Sequence, residues 1–244
     1  MRLRLAVILL LAWPPAAFAG DITVLSPGIA IAPLRILAAS WQARTGDKVA
    51  ITGGNVGRIR AAVENGGAGD LVLAPTADLA GLAPRLADGG GKPIGRIVFG
   101  IVVKAGGNHP DISTREKFIA FARQAGVLAY ANPAVGSLSG AMVEKMLKTP
   151  AFAGVKPVPV KGMIGDAIVR GDAEYGAGAV SEEKMAGDAE VVGRIPDSFG
   201  LFIDLSGAVL KAGKAPDTAA DFLAYITSAE AAPVWKDGGI EAAR

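Results

Sequence analysis

The sequence predicts an α/β protein built as two α/β units joined by extended crossings. Three observations carry this. Short β-branched runs alternate with stripes at helical spacing, which favours a parallel sheet covered by helices. Ile97–Val103 is a continuous apolar run of the kind buried on both faces or bridging two lobes, and Leu201–Leu210 is a second long, largely apolar strand. The 244 residues include 51% hydrophobic and 20% charged side chains, enough for substantial cores.

The elements follow in order. Arg2 and Arg4, an apolar run Leu5–Trp13, Pro14-Pro15 and Ala17-Phe18-Ala19 form an export signal at residues 1–19, with cleavage expected after Ala19. Asp21–Ser26 reads as a strand ending at Pro27-Gly28. Ala30, Leu34, Leu37 and Trp41 then mark a helix that stops at Thr45-Gly46-Asp47. Lys48–Thr52 is a strand, Gly53-Gly54-Asn55 a turn, and Ile59, Ala62 and Val63 a helix face closing at Asn65-Gly66. Asp70–Ala74 is the next strand, and Leu79, Leu82 and Leu86 place a helix after it. Beyond Gly89-Gly90-Gly91 and the Ile97–Val103 strand, Ser113 with Glu116 reads as a capping box ahead of Phe118, Phe121, Ala122 and Ala125. Val127–Tyr130 is a strand, Ser139–Leu147 a helix and Val155–Val160 a strand. Met163–Arg170 is a helix and Tyr175–Val180 a strand. After the Leu201–Leu210 run, Asp217 caps a last helix carrying Phe222, Leu223 and Ile226.

Composition removes whole classes of chemistry. With no cysteine there are no disulfides, thiolate metal sites or thiol nucleophiles, and one histidine excludes a His-rich metal centre. No metal and no cofactor is expected. The formal charge of +2 rests on the two arginines of the export signal, so the mature chain is balanced and a nucleic-acid partner is not expected. The Gly136–Gly140 stretch centres on Leu138 and is no nucleophile elbow. Gly207–Lys214 has the wrong spacing for a phosphate-binding loop. No catalytic residue is assigned.

Three segments share a form in which a strand ends, a small polar turn follows and a helix begins: Ser26-Pro27-Gly28, Gly54-Asn55-Val56-Gly57, and Gly136-Ser137-Leu138-Ser139-Gly140. Ligands of open α/β sheets sit at the carboxyl ends of strands, where first-turn amides lack intrahelical partners and the helix dipole favours negative charge. The expected ligand-binding residues are therefore Ser26, Gly28, Asn55, Val56, Gly57, Ser137 and Ser139. Arg58 in the second helix and Arg96 before the buried run are expected carboxylate anchors.

Taken in order, several stretches resemble the molybdate-binding (ModA-like) family of periplasmic solute-binding proteins, in its broader bacterial extracellular branch. They are Ile22–Ser26, Val49–Gly54, Glu64-Asn65-Gly66 running to Asp70–Leu73, Tyr130–Gly136 with Ser139-Gly140, Arg170–Gly176, and Phe222–Ser228. The resemblance implies a type II periplasmic-binding fold with a ligand cleft between two lobes, one from 20–96 with 198–244 and the other from 97–197. It implies a monomer delivering a small anion to the membrane subunits of an ABC importer. Val56, Val135 and Pro27 depart from the family pattern at positions that commonly donate to a tetrahedral oxyanion. Each unmade bond to a buried anion costs about 1–3 kcal/mol, which turns the expectation toward an organic carboxylate. Aconitate isomerase looks like a member of the same branch, so the alternative that the resemblance implies is an exported isomerase of an unsaturated tricarboxylate.

Overall fold

A computed structural model describes residues 20–87, 90–183 and 187–242; the export signal expected at 1–19 lies outside these. The first half of the chain alternates as expected: β1 (Ile22–Pro27), α1 (Ile31–Thr45), β2 (Val49–Gly54), α2 (Val56–Glu64), β3 (Leu71–Pro75) and α3 (Thr76–Leu82). β4 (Lys92–Lys104) follows. The second half contains α4 (Arg115–Ala125), β5 (Val127–Ala131), α5 (Leu138–Leu147), β6 (Lys156–Val160), α6 (Ile164–Arg170), β7 (Gly176–Ala179), α7 (Val180–Glu183) and β8 (Ala189–Arg194). β9 (Phe202–Val209), α8 (Pro216–Ile226), α9 (Ala232–Asp237) and β10 (Ile240–Glu241) complete the chain.

The strands run in the order β2-β1-β3-β9-β4-β7-β5-β6, with β8 and β10 also on β4. β1 is parallel to β2 and β3, and β5 is parallel to β6 and β7. The sheet is nonetheless mixed rather than parallel throughout, because β9 runs antiparallel to both β3 and β4, and β4 antiparallel to β7 and β8. The two long apolar runs are the reason. They carry the chain between halves without an intervening helix, and strands that simply return pair antiparallel. On β4, Lys92–Val98 pairs with β9, whereas Phe99–Val102 pairs with β7. The chain returns through 195–201, where the Ile195 amide donates to the Phe99 carbonyl at 2.8 Å.

Each half has its own aromatic anchor. Trp41 of α1 meets Phe222 of α8 edge-on at 5.6 Å. In the other half, Phe118 of α4 packs against Phe152 at 5.6 Å and Phe199 at 5.2 Å. Phe118, Phe152 and Phe222 are fully buried, a burial that contributes about 1.5–3 kcal/mol per side chain. Asp70 pins the first half from inside, accepting the backbone N–H groups of Thr23, Lys214 and Ala215 at 2.7, 2.6 and 3.0 Å.

Four local expectations need correction. The cap of α4 is Thr114, whose Oγ1 accepts the Lys117 amide at 3.2 Å; Ser113 instead donates to Asp111. α8 begins after Ala215 with Pro216 in its first turn, so Asp217 lies inside the helix, and the preceding amides are held by Asp70. α8 is also not the last helix, since α9 follows it. α3 stops at Leu82, where Pro84 turns the chain into a tight 3-10 turn. β8 is an unforeseen strand, half-buried along its whole length and therefore without an apolar alternation to mark it.

Candidate functional site

The site begins with what ends each strand. β1 ends in Pro27 and passes through a 3-10 turn at Gly28–Ala30 into α1. β2 ends in Gly53-Gly54, after which Asn55 caps α2, its Oδ1 accepting the Arg58 amide at 2.8 Å. β5 ends at Ala131. Asn132 opens the next turn by accepting the Ala134 amide at 2.9 Å, and Ser137 caps α5 by accepting the Gly140 amide at 3.0 Å. β6 runs out through Gly162 and Met163 into α6.

All four strand ends border one cleft of about 400 Å³. From the first half it is lined by Pro27, Gly28, Ile29 and Gly53–Val56. From the second it is lined by Ala131-Asn132, Val135–Ser139, Val160, Gly162, Met163, Glu182 and Glu183. The first-turn amides of α2 (Val56, Gly57) and α5 (Leu138, Ser139) have no intrahelical acceptor, so both helix starts present donors and positive dipole ends here. The halves approach each other closely where the Asn55 side chain faces Gly136. Gly136 has φ +84°, and a Cβ there would stand 2.5 Å from the Asn55 amide nitrogen. Glycine at this point satisfies both the backbone conformation and the close approach.

Of the residues expected from sequence, Gly28, Asn55, Val56, Ser137 and Ser139 line the cleft together. Gly57 sits beside Val56 in the first turn of α2. Ser26 is buried behind the wall, its hydroxyl donating to the Pro27 carbonyl at 3.1 Å. Arg58 is exposed; its side-chain stem runs along Gly54, and no acid partners it among the described residues. Arg96 is elsewhere. Its fork is engaged by Asp204 at 2.7 and 3.1 Å and lies 3.8 Å over the Phe202 ring, which makes it a clamp between β4 and β9.

Glu182 and Glu183 were missed by sequence reasoning. Both sit on the single turn of α7, directly beyond the carboxyl end of β7, and the strand-end rule that found the other turns would have found them. Ser137 and Ser139 are bonded hydroxyl to hydroxyl at 3.1 Å, and Ser139 donates onward to Glu182 Oε2 at 2.9 Å. Glu183, only 2% exposed, takes the Gly165 amide of α6 on Oε2 at 3.0 Å. Its Oε1 lies over Gly178, where a Cβ would come within 3.0 Å. Burial pushes the Glu183 carboxyl up to about 7, with the Gly165 bond opposing and the charges of Glu182 and Asp166 adding to the rise. Burial also raises Glu182, opposed by the Ser139 bond. No lysine, arginine or histidine lines the cleft among the described residues. The arrangement can hold an acceptor-rich group through neutral donors, and it can hold or move a proton at two carboxyls.

Known proteins share this architecture. The substrate-binding domain of a putative molybdenum ABC transporter from Clostridium difficile superposes with a TM-score of 0.75 at 14% identity, over 92% of this chain and 99% of that one. The periplasmic molybdate-binding protein of Azotobacter vinelandii gives 0.64 at 17% identity, over 92% and 100%. In sequence, an aconitate isomerase from a Pseudomonas species is 29% identical over 90% of this chain and 87% of its own length. The structural likenesses establish the two-lobed periplasmic-binding fold. With residues 22–241 matching its model, the chain belongs to the bacterial extracellular solute-binding protein family.

Proposed function

We propose that this chain is the periplasmic binding component of an ABC-type importer and that it holds a small anion, an organic carboxylate, in the cleft. The observation that carries this is the convergence of the α2 and α5 starts, with Asn55 and Ser137, on one 400 Å³ space. Two carboxylate oxygens match paired amide donors, and the exposed Arg58, with its stem along cleft-lining Gly54 and no acid partner among the described residues, adds a cation for a second carboxylate. Val56 offers no hydroxyl and Pro27 no N–H, which disfavours a tetrahedral oxyanion needing donors all round. In this reading the export signal is cleaved after Ala19, and the mature monomer closes about β4 and the 195–201 crossing. The lobes are then 20–96 with 198–244, and 97–197, and the loaded form docks on the importer's membrane subunits.

The test is a melting assay on protein refolded free of any co-purified ligand, against molybdate, tungstate, sulfate, phosphate, citrate and aconitate. A true ligand at a hundredfold excess over Kd raises stability by about 2.7 kcal/mol. No response to any carboxylate removes the reading.

A second reading is favoured by Glu182. The Pseudomonas relative is an aconitate isomerase, and a half-buried carboxyl held by Ser139 at the cleft wall suits a proton-transfer base. Glu182 would take a proton from a carbon beside the double bond of an unsaturated tricarboxylate. The electron pair shifts along the allyl unit, and the same carboxyl returns the proton at the far carbon. Incubation with trans-aconitate in deuterated water, followed by NMR, decides it: unchanged, undeuterated substrate excludes an isomerase.

A further inference from the structure

We propose that Glu182 and Glu183 restrict the cleft to carboxylates that also carry a hydrogen-bond donor, a hydroxyl or an ammonium, beside the carboxylate. This rests on the reading of the cleft as a carboxylate site and names the class of acid that it takes.

The cleft carries two kinds of group. The α2 and α5 starts, Asn55 and Ser137 supply donors and call for acceptors. Beside the α5 start, on the same second-half wall, stand two carboxyls. Glu182 has Oε2 occupied by Ser139, while Oε1 takes no hydrogen bond among the described residues. Glu183 is buried to 2% exposure, lines the same cleft, and has Oε1 without a donor among the described residues. Both free oxygens belong to side chains that line the cleft, so an occupant that carries a donor can reach them. Sulfate and molybdate as dianions offer only acceptors and would set like charge against the Glu182 carboxylate. A hydroxy or amino acid offers both, with its carboxylate on the helix starts and its donor on the glutamate pair. The Ser137–Ser139–Glu182 chain fixes where that acceptor sits, since each hydroxyl is held by its neighbour.

The experiment uses acids matched in length: succinate, L-malate and L-aspartate, which differ at one carbon by hydrogen, hydroxyl or ammonium. Tricarballylate and citrate form a longer pair. Affinities are measured by calorimetry on the mature protein, with sulfate and molybdate as acceptor-only anions. The expected result is that malate or aspartate binds at least tenfold tighter than succinate, or citrate than tricarballylate. The malate and aspartate arms separate a hydroxyl from an ammonium. Glu182→Gln should shrink the preference below threefold, and Ser139→Ala, which frees Glu182 to turn, should shrink it by less. If either variant fails to fold, the wild-type pairs still decide. Equal affinity within every pair, a preference untouched by E182Q, or tighter binding of sulfate or molybdate than of any acid overturns the inference. Absence of binding by all five acids overturns the carboxylate reading beneath it as well.

Discussion

The two walls of the cleft are built from the same motif and differ in what they bring. The first-half wall, Gly28 and Gly53–Val56, is nearly all backbone: glycines, a capping asparagine and a valine. The second-half wall has the same strand-turn-helix form at Asn132–Ser139, then adds two hydroxyls and one carboxyl in a bonded chain, with the Glu183 carboxyl beside it. Each half also buries an acid, and the contrast holds there too. Asp70 is saturated by three backbone amides and is structural. Glu183 has one amide and lies open to the cleft. One half supplies shape and backbone donors; the other supplies groups able to exchange a proton.

Replacing Glu183 breaks this contrast most. Its carboxyl is raised from an ordinary 4.5 to about 7, so the folded state holds its proton more tightly than the unfolded chain. The resulting stability is fully present below about pH 4.5 and is lost as pH rises through 7. The change is roughly 3 kcal/mol across that window. Thermal melts at stepped pH should show this decline in the native protein and a flattened profile in Glu183→Gln; an unchanged profile would remove the contrast between the two buried acids.

The same substitution on opposite walls sharpens it next. A Cβ at Gly140 would overlap the Ala131 carbonyl oxygen, so Gly140→Ala should cost about 2–3 kcal/mol in denaturant unfolding. Gly28 has nothing within 4 Å of its Cβ position, and Gly28→Ala should stay within about 0.5 kcal/mol while still altering ligand affinity. Between these lie the caps. Asn55→Ala and Ser137→Ala should each cost about 1 kcal/mol. Only Ser137→Ala should also raise the mobility of Ser139 and Glu182, readable as slower or faster side-chain relaxation in NMR. Equal effects from both would mean that the hydroxyl chain does not order the acid.

Much of this was legible along the chain. Apolar stripes such as Ala30, Leu34 and Leu37 gave α1, and the Gly-Asn and Gly-Ser turns gave two cleft walls, because caps and turn residues act within a few positions of themselves. What failed was non-local. Arg96 reads as an anchor beside a buried strand, but Asp204, more than a hundred residues away, claims its fork. β8 carries no alternation of its own and is a strand because β4 offers an edge. Glu182 and Glu183 directly follow the expected Tyr175–Val180 strand, but only the fold brings them beside α5 in the cleft.

The sequence by itself determined the alternating elements, the exclusion of thiol chemistry and of a His-rich metal centre, and the turns that present free amides, all consequences of local conformational preference and composition. The tertiary structure alone decided which turns share a cleft, which arginine is spent on a clamp, and which acids are buried there. Burial and charge pairing depend on what the fold brings near, and residues such as Ser139 and Glu182, 43 positions apart, meet only once β5 and β7 lie side by side.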